Sequence, residues 1–273
     1  MTIIYLLLTL LTPQASDIFM VENGKKSERP SLVFINGLAQ DTVLWQDLID
    51  RMEKKWHCVR FDFPGIGKTP SSEKPLTLDQ MAEICVEVIK EKELHKVHII
   101  GLSLGSFTAQ TLAAKHPELI ETLTLIGTTM GGYNHIPPTA EALSFLMGQS
   151  GLEGEAKFRK GLELSLSKSF CESYPERFEK ILNHVSERKI DQKALTQQVF
   201  AGMSFDITRL VPFKGKTLII HGKEDQLIPF ANAQKLHEHL SQSKLVLLDQ
   251  SGHICNIDQV EKVAETLESF LMK

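Results

Sequence analysis

Gly101-Leu102-Ser103-Leu104-Gly105 joins a strand-like apolar run, Val97–Ile100, to an alanine-rich run that reads as a helix, Ser106–Lys115. A serine between two glycines at a strand-to-helix turn is the pattern of a nucleophile elbow. The spacing has a steric cause. The turn is so tight that a bulky side chain at either glycine strikes the neighbouring strand or helix, and the serine hydroxyl stands clear at the top of the sheet. The helix start behind it supplies free N–H groups and a positive dipole end beside any oxyanion formed there.

Outward from this turn, strand and helix signals alternate, which argues for an α/β fold: a mostly parallel central sheet flanked by helices. The expected core strands are Leu32–Ile35, Cys58–Phe61, Val97–Ile100, Leu123–Ile126, Thr217–Ile220 and Leu245–Leu248, each short and nearly all apolar. Helical periodicity fits Leu44–Glu53, Leu78–Lys92, Ser106–Lys115, Ala231–Leu240 and Gln259–Leu271. The apolar run Thr2–Leu11 reads as a strand turned at Thr12-Pro13 into a second one, Asp17–Val21. An export signal is the alternative, although no Lys or Arg precedes the run and Pro13 spoils the cleavage pattern.

Alternation stops between Gly131 and Arg209. This stretch is helical, without a strand candidate, and carries ten acidic and ten basic residues, so it has no electrostatic bias. The expected division is a core of residues 1–130 and 210–273 with residues 131–209 inserted as a helical cap. A cap in that position lies over the C-terminal edge of the sheet, where α/β proteins bind ligands.

The chain has 273 residues, 42% hydrophobic and 23% charged, with a formal charge of −4. That is enough for one large core, and the charge gives no reason to expect nucleic acid or an anionic membrane surface. The apolar run at the start is too short for a membrane span. Cys58, Cys85, Cys171 and Cys255 are scattered without metal or redox spacing and read as reduced thiols of a cytoplasmic protein.

A serine needs a base to take its proton and a third group to orient that base. His253, in Ser251-Gly252-His253, lies in the loop after the last strand, at the same sheet edge as the elbow. His95, His98, His116, His237 and His239 lie at the opposite edge, at a helix end or on a surface helix, and His221 reads as structural. The acid is Asp225, in the loop after Thr217–Ile220, with Glu224 the weaker competitor. The oxyanion donors are the backbone N–H groups of Leu104 and of Leu38, in the loop after Leu32–Ile35. Gly65-Ile66-Gly67-Lys68-Thr69 imitates the end of a P-loop, but Asp62 occupies the position of its first glycine. His237 and His239 point to different sides of a helix and do not make a metal pair.

The elbow, the acid loop and the histidine loop, in the chain order Ser103, Asp225, His253, together resemble the α/β-hydrolase superfamily from about Asp17 onward. Phe61 to Thr69 is similar to that family's Asp-x-x-Gly-x-Gly-x-Ser/Thr turn after a strand, with Ile66 where a His is common. Asn36-Gly37-Leu38-Ala39-Gln40-Asp41, with Trp45, departs from the usual His-Gly opening and is similar to that of 3-oxoadipate enol-lactonases, as is Ala201–Asp206. Carboxylesterases and acyl-carrier methyl-ester esterases share the core. The resemblance implies a serine hydrolase of a small ester, lactone or thioester, needing no metal or organic cofactor. Its partner is a small-molecule acyl substrate, bound with help from Trp45, Phe145, Phe158 and Phe200. Acyl transfer, C–C bond hydrolysis and ligand binding without turnover are the alternatives on this fold.

Overall fold

The computed structural model describes residues 17–272. The strand expected over Thr2–Leu11 lies outside the described residues. In chain order the elements are β1 (Met20–Asn23), β2 (Ser31–Ile35), α1 (Gln46–Met52), β3 (Cys58–Phe61), α2 (Leu78–Glu91), β4 (Val97–Leu102), α3 (Leu104–Lys115) and β5 (Ile120–Ile126). There follow five helices without a named strand: α4 (Ala140–Leu146), α5 (Gly154–Ser165), α6 (Lys168–Ser173), α7 (Pro175–Glu187) and α8 (Gln192–Met203). The sheet then resumes with β6 (Thr217–Gly222), α9 (Ala231–His239), β7 (Ser243–Leu248), α10 (Cys255–Asp258) and α11 (Val260–Leu271).

The seven strands lie in the order β1-β3-β2-β4-β5-β6-β7, all neighbours parallel except the antiparallel pair of β1 with β3. The apolar strands are covered on both faces. Val33 and Ile35 of β2 join a cluster with α2, α3 and α9, while Leu32 and Phe34 join one with α1, α10 and α11. This two-sided burial explains why the inner strands read as unbroken apolar runs. The expected strand Asp17–Val21 is shifted to Met20–Asn23, because at the sheet edge only one face is covered and the apolar signal is weak. The helix expected from Leu44 begins as a 3-10 turn, Thr42–Trp45, capped by the Asp41 side chain on the N–H of Val43.

The chain reverses its direction of winding between β2 and β4, which are adjacent in the sheet. A crevice opens outside the C-terminal ends of strands at such a reversal. The loop after β2 and the turn after β4 meet there with almost no clearance. A Cβ on Gly105 would stand 2.2 Å from the carbonyl oxygen of Ile35, and one on Gly101 would stand 2.3 Å from that of Gly105. Gly105→Ala should therefore destabilise the protein by about 3 kcal/mol or more, since neither backbone can withdraw. Gly202→Ala in α8, where the nearest atom is Leu104 Cδ1 at 3.5 Å, should be neutral or mildly stabilising. Urea unfolding of both variants makes the comparison, and a Gly105→Ala protein within 1 kcal/mol of wild type, about the gain a helical Gly→Ala brings, contradicts it.

Candidate active site

Ser103 is the residue before α3 and holds φ 54°, ψ −119°, a left-handed region that non-glycine residues rarely enter. The surrounding hydrogen bonds leave it no other choice. Its N–H donates to Ile126 O at 2.9 Å, and its carbonyl accepts from the N–H of Ser106 at 2.7 Å and from the Ser106 hydroxyl at 2.6 Å. The hydroxyl of Ser103 makes no hydrogen bond among the described residues.

His253 and Asp225 come together as the sequence suggests. His253 Nδ1 lies 2.7 Å from Asp225 Oδ2, and both side chains are buried. The other carboxylate oxygen of Asp225 accepts from the N–H groups of Leu227 at 2.9 Å and Ile228 at 2.8 Å, which fixes the acid in its loop. Burial raises the pKa of this carboxyl, but the charge and hydrogen bonds of His253 and His221 outweigh it and hold Asp225 well below the usual carboxylate range. Glu224 turns away: its carboxylate accepts from the N–H of Lys168 at 3.3 Å, at the start of α6. The imidazole of His253 lies over the end of β5, the strand beside β4. A Cβ on Gly127 would stand 3.0 Å from His253 Nδ1, and Gly127 follows Ile126, the acceptor of the Ser103 N–H.

The loop after β2 supplies the opposite wall. Gln40 N–H closes a turn on Gly37 O at 3.1 Å, and the Gln40 side chain accepts from the Gly37 N–H at 3.1 Å. Leu38 N–H is left without a partner among the described residues, as is that of Leu104 at the first position of α3. Asn36 anchors this loop. Its amide donates to Phe61 O at 2.7 Å and accepts from the Trp45 indole at 2.8 Å.

The aromatic expectations fare differently. Trp45 is 1% exposed and packs on Phe34 with ring centroids 5.1 Å apart, so its place is in the core behind Asn36 rather than on a pocket wall. Phe145 is half-buried and rests on Gly161 of α5, and Phe158 packs partly buried on the Trp45 side of the core. Phe200 is 65% exposed. The face of α8 that turns inward carries Ala194, Gln198 and Ala201, and a residue two positions from Gln198 falls on the opposite side of a helix. The false P-loop is a braced turn: Asp62 accepts from the N–H groups of Thr42 at 2.7 Å and Lys68 at 3.0 Å. A cavity of about 740 Å³ beside that turn, walled by Asp41, His184 and Arg188, does not include Ser103, Asp225 or His253.

Two supporting residues gave no sequence signal. His221, fully buried on β6, places Nε2 at 2.9 Å from Asp225 Oδ2 and 2.7 Å from Ile228 O, so that nitrogen carries the proton. Asp258 of α10 accepts from the N–H of Gly252, the residue before His253, and from that of Ser167 at 3.2 Å. It ties the histidine loop to the chain between α5 and α6. Burial raises its pKa from 3.8 to about 6, against those hydrogen bonds.

A raised carboxyl pKa sets the sign of a pH effect. Between about pH 4 and pH 6 the folded protein keeps the Asp258 proton that the unfolded chain releases, so this group's contribution to stability falls as pH rises and levels off above 6. The slope is at most about 1.4 kcal/mol per pH unit. Denaturation of wild type and Asp258→Asn at several pH values across that window should show a stability difference that changes with pH. A constant difference contradicts the assignment.

Comparison with known proteins agrees with this architecture. A family model described as the alpha/beta hydrolase fold matches residues 30–260. The RutD protein of Agrobacterium fabrum, provisionally named a carbamate hydrolase, is 26% identical over 258 residues, 93% of this chain and 97% of that one. The 3-oxoadipate enol-lactonase 2 of Acinetobacter baylyi is 24% identical over 91% of both chains. Among solved structures, the enol-lactonase from Burkholderia xenovorans LB400 superposes with a TM-score of 0.81 at 21% identity, covering 94% of this chain and 96% of that one. Because the family match runs from the residue before β2 to the first residue of α11, over this order of strands, the chain belongs to the alpha/beta hydrolase family.

Proposed function

We propose that this hydrolase is a serine esterase-type enzyme that cleaves small carboxylic esters, lactones or thioesters through an acyl-enzyme. The observation that carries the reading is the strained Ser103 at the switch point, its hydroxyl without a hydrogen bond among the described residues, at the same sheet edge as the loop in which His253 is paired to a buried Asp225. Catalytic hydrogen bonds commonly close only when substrate is seated, so the Ser103–His253 bond belongs to the loaded site.

Ser103 Oγ attacks the acyl carbonyl while His253 Nε2 takes its proton. Asp225, bonded to Nδ1, keeps the imidazole in the tautomer whose Nε2 is a free base and stabilises the imidazolium that forms. The developing oxyanion is received by the N–H groups of Leu38 and Leu104, which lie on opposite walls of the crevice. As the tetrahedral intermediate collapses, His253 gives the proton to the departing oxygen or sulfur. That atom leaves as an alcohol or thiol or, from a lactone, stays on the acyl chain as a hydroxyl. Water then repeats the sequence on the acyl-enzyme. Residues 131–209 act as the cap that seats the acyl substrate. Its supports are the contacts of α8 with the elbow, where Gly202 faces Leu104 and Phe205 stacks on Phe107 at 4.7 Å. The enol-lactonase relative puts lactones beside short-chain esters and thioesters in the first substrate panel, with C–C diketones as its contrasting members.

Ser103→Ala should fold normally, lose labelling by a fluorophosphonate probe and lose turnover by about 10⁴-fold or more. Labelling that survives in this variant moves the nucleophile elsewhere. Asp225→Asn should be far more damaging than Glu224→Gln, because an amide bonded to Nδ1 favours the unproductive tautomer, whereas Glu224 only caps α6. Steady-state rates on the best ester of the panel decide between them, and equal losses contradict the assignment of the acid.

A further inference from the structure

We propose that Gln198, a residue of the helical insertion, positions the oxyanion loop, so that the cap sets the catalytic competence of the core as well as its choice of substrate. The inference rests on the serine-hydrolase reading above. Gln198 lies on α8 and is 1% exposed, and its Oε1 accepts the N–H of Ala39 at 2.9 Å across 159 residues of sequence. Ala39 is the third residue of the turn closed by Gln40 on Gly37 and holds φ 57°, at the position where such turns ordinarily require glycine. An alanine there is under strain, and the strain is relieved if the peptide between Leu38 and Ala39 flips. The N–H held by Gln198 belongs to that same peptide.

The preceding peptide, between Gly37 and Leu38, carries the N–H of Leu38. The two planes meet at the Leu38 Cα, so the Gln198 bond, by fixing one, limits the conformations of the turn that carries this donor. The other donor, Leu104, is also met by α8, where a Cβ on Gly202 would lie 3.5 Å from Leu104 Cδ1. One helix thus touches Leu104, which bears one donor, and Ala39, the neighbour of Leu38, which bears the other. The tie to Ala39 is the single polar contact of the Gln198 side chain among the described residues, for its Nε2 makes no hydrogen bond there.

Gln198→Met fills nearly the same volume without the acceptor, Gln198→Glu keeps an acceptor oxygen, and Gln198→Ala empties the site. All three are measured in the full chain with p-nitrophenyl acetate beside wild type and Ser103→Ala. Met and Ala should lower kcat by about 10- to 100-fold, somewhat less than outright loss of an oxyanion donor, with KM within about twofold, since the donors act on the transition state. Their affinity for an alkyl boronic acid, which forms a tetrahedral adduct on the serine, should fall in parallel with kcat/KM, while binding of the corresponding alcohol stays unchanged. The Glu variant should recover most of the loss. A Met or Ala variant with wild-type kcat overturns the proposal, and so does a folded Glu variant as impaired as Met. If Ser103→Ala keeps full turnover, it is the serine-hydrolase reading that fails instead.

Discussion

The contact on which the rest of the molecule depends is the one between the first turn of α3 and the end of β2. Gly105 lies against the carbonyls of Ile35 and Asn36 with no space for a side chain. That approach brings the two walls of the crevice together. On one side it sets the direction of the chain leaving β2, with Asn36 held to Phe61 and Trp45. On the other it compresses the turn after β4 until Ser103 has a positive φ. The strain at Ser103 survives because its N–H and its carbonyl are both fixed by neighbours, the first by β5 and the second by α3. A less crowded junction would let the serine relax into the helix, and its hydroxyl would then point along the helix surface.

The helices between β5 and β6 are fastened to this core at separate places, each next to a functional loop. Asp258 and the close passage of Gly252 against Ser165 and Leu166 hold the chain between α5 and α6 to the histidine loop. His184 of α7 reaches Asp41, just beyond the turn after β2, with both carboxylate oxygens at 2.9 Å. The His184 bond lowers the Asp41 pKa despite burial. Gln198 of α8 holds the turn itself. An insertion fastened in this way shares its rigidity with the core, and its bonds end on the loops at the C-terminal edge of the sheet.

What the sequence revealed depended on whether the cause of a feature was local. Strands buried on both faces announced themselves as continuous apolar runs, and β3 was legible to the residue because nothing else in its surroundings competes with that signal. The elbow was legible because its steric demand falls on two glycines within five residues. Asp225 was chosen over Glu224 by its place in the loop, and hydrogen bonds to Leu227 and Ile228 are the local reason. Gln198 and Asp258 were illegible for the opposite reason. A lone Gln or Asp on a helix reads as solvent-facing, and only tertiary contact shows that Gln198 meets Ala39 or that Asp258 meets Ser167. Phe200 shows the converse error: aromatic character suggested an inward side chain, but the stripe that α8 buries is made of small residues and one glutamine.

The bond between Asn36 and Trp45 has an optical consequence. The chain contains two tryptophans, and they sit in distinguishable surroundings. The indole N–H of Trp45 is bonded to the Asn36 side chain that anchors the loop after β2, whereas that of Trp56 is buried without a partner among the described residues, its ring nearly perpendicular to that of His98. Indole emission shifts with hydrogen bonding at its nitrogen, so the two residues carry separate spectral signatures. Any movement of the loop that disturbs Asn36 changes the colour and lifetime of Trp45 and leaves Trp56 as an internal reference. The fold has in effect placed a built-in fluorophore one hydrogen bond behind the loop after β2, where it can follow that loop in unlabelled protein.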